Sequence, residues 1–168
     1  LEGKDEAAIA ALHARLVHDD AGAARALEVY ARHRRHGPAA ELAERLGQRD
    51  RAIELYQRAH RDLDAARLLE SAGRDREAVR LLERALELAL ADERAALVLR
   101  LGRILTARAS YDVAVRYLQE AAKHAATAGE ARRHLVVALA GLGLTDAARA
   151  ALARLRADDA SVTPELSE

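Results

Sequence analysis

An all-α fold is what this sequence predicts, and three observations carry the prediction. Apolar residues recur at helical spacing, as in Leu97, Val98, Leu101, Ile104 and Leu105, which fall at i, i+1, i+4, i+7 and i+8. The composition suits thin, closely packed helices: 51% of the residues are hydrophobic, carried mostly by Ala and Leu, and the four aromatic residues are all Tyr. A strand-rich core would want Val, Ile, Thr and aromatics instead. Finally, the apolar stripes stop at Gly37-Pro38, Gly47 and Gly73, the kind of residue that ends a helix.

Each element follows from the same reading. A helix is predicted from Asp5 to about Val17, with Ile9, Leu12, Leu16 and Val17 on one face and Asp5 and Glu6 where the helix dipole favours negative charge. The run His18-Asp19-Asp20-Ala21-Gly22 reads as an interruption. A second helix, Ala23 to about Arg35, carries Ala26, Leu27 and Tyr30 and ends in a cationic run before Gly37-Pro38. Further helices are predicted over 39–46, 51–60, 63–72 and 76–90, each with one stripe of Ala and Leu.

The stretch from Arg94 to Thr127 contains a complete helix-turn-helix unit. Its second half sets Ala114, Tyr117, Leu118, Ala121, Ala122 and Ala125 on one stripe, with Arg116, Gln119, Glu120 and Lys123 pointing elsewhere. Gly102, Ala114 and Ala121 are small, which lets the two backbones approach closely. The last unit, Gly129 to about Ala157, repeats the pattern with Leu135, Val136, Leu139 and Leu142, then Ala148, Leu152 and Leu155.

Overlaying the segments exposes repeats. Ala26, Ala52 and Ala78 stand in matching contexts 26 residues apart, and Gly47 and Gly73 keep the same step. Ala114 and Ala148 are 34 apart, and Gly143 precedes Ala148 by five, as Gly47 precedes Ala52 and Gly73 precedes Ala78.

Leu101-Gly102, Leu105, Ala114, Leu118 and Ala121 together resemble the tetratricopeptide repeat in a degenerate form, with Val98 in place of the usual Trp and Ala126 in place of the usual Pro. The resemblance implies an α-solenoid of about five antiparallel helical hairpins. The helical-repeat domain is expected over 1–158, followed by a disordered tail or linker over 159–168, where periodicity stops around Pro164. The shorter 26-residue units resemble the compact hairpins of longer trafficking-type solenoids.

Charge and composition exclude several function classes. Lys+Arg and Asp+Glu are both 27, so there is no global basic field to draw in nucleic acid or anionic lipid. No apolar run reaches the roughly 20 residues that a membrane-spanning helix needs. Without Cys the chain has neither a disulfide framework nor a thiolate metal site, and a soluble, cytoplasmic protein is the default expectation. The chain opens on Leu1 and contains no Met, and is read as a portion of a longer protein.

The search for chemistry gives little. His33 and His36 lie three apart at a helix end, but Arg34 and Arg35 between them oppose a cation and no third ligand is in register, so a solvated cationic terminus is expected. The Gly residues do not form a phosphate loop, and no Ser is paired with a His in a nucleophile motif. Neither an enzyme nor a cofactor or metal is expected. Arg32, Arg34 and Arg35 form a basic patch, yet Tyr30 is its sole nearby aromatic and the whole chain is neutral, so nucleic-acid binding is not expected either.

What remains is a binding module. The resemblance implies that first helices line a groove for a peptide or partner protein. The expected groove residues are Glu41, Glu44 and Arg45, then Arg67 and Glu70, then Arg100 and Arg103, then Glu130, Arg133 and His134. Arg100, Arg103 and Arg133 would grip acidic groups of the partner through their guanidinium forks. The competing expectation is a structural spacer or self-association element with no groove ligand.

Overall fold

The computed structural model describes residues 19–162, which form helices and turns with no strand among them. In chain order the helices are α1 (Asp20–Arg32), α2 (His36–Arg45), α3 (Arg49–Arg58), α4 (Asp62–Ser71), α5 (Asp75–Leu88), α6 (Ala91–Ala107), α7 (Tyr111–Ala121), α8 (Ala125–Gly141) and α9 (Thr145–Val162). The helix predicted over 5–17 lies outside the described residues, as do 163–168 of the expected tail. The all-α expectation holds, and the α1–α5 boundaries sit within about three residues of those predicted. Ala125, however, read on the stripe that begins at Ala114, starts α8, because α7 already ends at Ala121.

One local reading is corrected. The stretch expected to interrupt the helices instead starts one: Asp19 is the N-cap of α1, its carboxylate accepts a hydrogen bond from the Gly22 N–H, and the helix is under way at Asp20. An Asp pair looks like a break but serves as a cap plus a first-turn acid. Likewise His33 and His36 end two different helices, as the C-cap of α1 and the first residue of α2.

The turns explain the repeats. Arg34, Gly47, His60, Gly73, Ala109 and Gly143 all have φ between 56° and 76°, in the left-handed region. At each, two backbone bonds close the preceding helix in the same way. Gln48 N–H donates to Ala43 O at 2.8 Å and Gly47 N–H to Glu44 O at 3.0 Å; Ser110 N–H donates to Leu105 O at 2.9 Å and Ala109 N–H to Thr106 O at 3.0 Å. These are Schellman motifs, which satisfy carbonyls that the helix end would leave orphaned.

Positions 34, 47, 60 and 73 are spaced thirteen apart, so the 26-residue repeat seen in the sequence is two successive helix-plus-turn steps of equal length. Positions 109 and 143 are 34 apart, matching the longer repeat. Five residues after every left-handed position stands a buried Ala: Ala39, Ala52, Ala65, Ala78, Ala114 and Ala148. Only a small side chain lets the new helix settle this close to its neighbour. The α7–α8 connection is made differently, with the buried Thr127 hydroxyl donating to Ala121 O at 2.7 Å.

The chain divides into two compact units, Leu1–Arg74 and Asp75–Glu168. In the first, α1 packs on α2, α2 on α3 and α3 on α4, burying Leu27, Leu42, Ile53, Leu55, Tyr56, Leu68 and Leu69. In the second, each helix again packs on the next, and α6 also packs directly on α8. Val98, Leu101 and Leu118 are completely buried there. Gly102 lets α6 lie close against α7, because a Cβ built on it would stand 2.5 Å from Leu118 Cδ2.

Candidate partner-binding surface

The acidic half of the expected groove is a network of internal ion pairs. Glu44 on α2 is bracketed by α3 and α4: Tyr56 Oη donates to Glu44 Oε2 at 2.9 Å, and Arg67 Nη2 donates to the same oxygen at 2.8 Å. Arg67's hydrogen bond holds the Glu44 carboxyl below its ordinary range, against the opposing effect of burial. Burial, with Glu44 second, pushes the Tyr56 phenol up to about 12. Arg61, in the α3–α4 turn, lies over the Tyr56 ring at 4.9 Å, pairs with Glu41, and donates through Nε to Asp64 Oδ2 at 2.8 Å. Its hydrogen bond to Glu41 is the main influence raising the Arg61 pKa.

Glu41, Glu44 and Arg67 therefore do come together, but as one another's neighbours and partners. Tyr56, Arg61 and Asp64 complete the cluster and were not singled out from the sequence. Tyr56 lay on a predicted apolar stripe, where its hydroxyl gave no sign of reaching a carboxylate twelve residues earlier. Arg45 makes a long contact of 3.9 Å to Asp20, and Glu70 is half-buried on α4.

In the second unit the packing of α6 on α8 brings together Arg103, Glu130 and His134. Arg103 Nη1 lies 3.0 Å from Glu130 Oε1, and His134 Nε2 lies 3.9 Å from that oxygen. Arg100 is half-buried on α6, while Arg133 and Val137 are exposed on α8. His134's pKa is lowered, first by burial and then by the Arg103 charge, with Glu130 pulling the other way. The imidazole is therefore mainly neutral at pH 7, and its approach to Glu130 is not an ion pair there. A carboxylate arriving at this surface would compete with Glu130 for Arg103 and find Arg133 nearby.

Among the described residues no group of three or more His, Asp or Glu side chains is placed to hold a metal ion. No described helix is long and apolar enough to cross a membrane.

Comparisons with known proteins agree with this fold. A family model described as tetratricopeptide repeat matches residues 63–96, covering α4, α5 and the start of α6. The chain has the fold of tetratricopeptide-like helical repeats. A crystal structure from Podosopora anserina, of nearly identical TPR-like repeats in a protein assigned as a kinesin light chain, superposes with a TM-score of 0.67 at 18% identity. The match spans 86% of this chain and 87% of that one, and places the tetratricopeptide-like repeats in the all-α solenoid class. No curated protein matches the sequence. Tetratricopeptide-like repeats generally mediate protein–protein interaction or scaffolding.

Proposed function

We propose that the chain is a non-catalytic scaffold that holds a peptide or partner protein on the surface formed by α6 and α8. The observation that carries this reading is the direct packing of those two helices, which sets Arg103 against Glu130 and leaves Arg133 exposed beside them. An acidic segment of the partner would exchange with Glu130 for Arg103 and gain Arg133, while Val137 offers apolar contact. Each guanidinium suits a carboxylate fork.

The Leu1–Arg74 unit supports a different role. Its Glu41, Glu44 and Arg67 are already spent on Arg61, Tyr56 and each other, which favours a spacer there over a ligand surface. We place the scaffold in the cytoplasm as part of the same proposal.

The test is affinity capture from native lysate with the chain as bait, beside an Arg100→Glu, Arg103→Glu, Arg133→Glu variant shown by circular dichroism to be equally helical. A partner kept by the parent and lost by the variant is the expected outcome. Retention by both would remove α6 and α8 as the binding surface. A concentration-dependent mass in sedimentation with no partner would favour self-association.

A further inference from the structure

Helix α5 begins 26 residues after α3 but runs to 14 residues instead of 10, so its last turn, Ala85–Leu88, overhangs the short repeat. Beside that overhang lies an open depression of about 420 Å³ lined by Glu83, Leu86 and Glu87 from α5, Arg94 from α6 and Tyr117 from α7. Arg94 braces it, with Nε 2.6 Å from Glu120 Oε1 and Nη1 3.5 Å from the Leu86 carbonyl. Its charge is thus taken up by Glu120. Glu83 and Glu87, one helical turn apart and both exposed, have no cation within ion-pairing distance among the described residues; Tyr117 Oη donates to Glu83 Oε1 at 3.5 Å. Like charges at this spacing repel mildly, so an added cation is favoured.

The chain between Glu87 and Arg94 also carries the two most exposed large apolar side chains among the described residues, Leu88 at 88% and Leu90 at 74%. Lone surface leucines need no explanation, but two that follow directly in the chain on a depression lined by Glu83, Glu87 and Tyr117 fit a ligand with alternating basic and aliphatic groups.

We propose that this depression docks a segment of a partner protein in which Arg or Lys alternates with aliphatic residues. The cation sits between Glu83 and Glu87 against the Tyr117 ring, and the aliphatic side chains cover Leu88 and Leu90. The surface is separate from that of Arg103 and Glu130, so either proposal can fail alone. A nucleic acid is disfavoured by the two carboxylates.

The test uses the whole chain and a fluorescein-labelled peptide of alternating Arg and Leu, with a counterpart carrying Glu in place of Arg. Anisotropy should show salt-sensitive binding of the basic peptide only. That binding should weaken at least about tenfold in the Glu83→Gln, Glu87→Gln variant, whose melting temperature serves as the folding control. Amide shifts on titration should centre on Leu86, Arg94 and Tyr117. No binding up to about 1 mM, equal binding of both peptides, or indifference to the double variant would overturn the proposal. So would a concentration-dependent dimer abolished by Leu88→Ser, Leu90→Ser in a chain that ignores the peptide, since a second copy would then be the occupant.

Discussion

Arg67 and Glu44 are 23 residues apart in sequence, yet the guanidinium of one lies 2.8 Å from the carboxylate of the other, on an oxygen that also accepts from Tyr56. The pair ties α2 to α4 across the top of α3. Both side chains are partly exposed, at 45% and 30%, so Arg67→Gln should cost about 1 kcal/mol or less at pH 7. Because the folded Glu44 pKa is depressed, its contribution is present above its unfolded value near 4.5 and disappears as pH falls through the folded value. The gap in melting temperature between parent and Arg67→Gln should therefore narrow below pH 4.5; a gap independent of pH would remove Glu44 from the account. Tyr56→Phe should cost about 1 kcal/mol by urea denaturation, since Tyr56 is buried and its hydroxyl has a charged partner.

The left-handed turns offer a stabilising change. Ala109 holds φ 57° with a side chain, at a cost of about 1 kcal/mol that Gly would avoid. Ala109→Gly should raise stability by somewhat less, since Gly also loosens the unfolded chain. Gly143→Ala, at φ 76°, should lower it by about 1 kcal/mol. Paired thermal melts decide both, and the sign is what matters.

Gly102 and Gly141 separate close packing from mere crowding. A Cβ on Gly102 meets Leu118, which is wholly buried and cannot swing aside, so Gly102→Ala should destabilise by about 1–3 kcal/mol. A Cβ on Gly141 meets the Tyr111 ring, which is only half-buried and can rotate outward. Gly141→Ala should therefore be the milder change, and equal losses in denaturant titrations would contradict this assignment.

His134 supplies a second acid-side prediction, of the same sign but with burial as its cause. Its folded pKa lies below the unfolded 6.5, so the unfolded chain binds the proton more readily and stability falls as pH drops through about 6.5 and below. His134→Gln should lose less melting temperature between pH 7.5 and pH 5.5 than the parent. Arg103 faces the imidazole from α6, and Glu130 and Arg133 flank it on α8, so Arg103→Gln should move the His134 NMR titration upward.

Much of the fold was legible because Ala and Leu keep helical spacing and Gly47, Gly73 and Gly143 mark turns. The thirteen-residue step was not, because Arg34 and His60 hold the same backbone conformation as the glycines without looking like turn residues. Ala39 and Ala65, five residues after them, carried the missing signal in plain view. The site was harder to read. Helical spacing put Glu41, Glu44 and Arg67 on an outward face, but whether a charge is open depends on a partner from another helix, and Arg61 came from a turn that gave no such hint. Arg103, Glu130 and His134 were read on two successive first helices, which do pack on each other in this unit, but the pairing of Arg103 with Glu130 was not read from the sequence.

The equal thirteen-residue steps give the first unit a parity. Duplicating or deleting a single step would leave every turn intact and every Ala five residues behind its left-handed position, yet each later helix would trade its place in the hairpin, turning core-facing leucines and outward charges onto each other's side of the stack. Two steps together restore the order. A chain built this way can change length smoothly in its turns but only in pairs in its faces, so surviving length variants should differ by 26 residues and its odd intermediates should fold poorly.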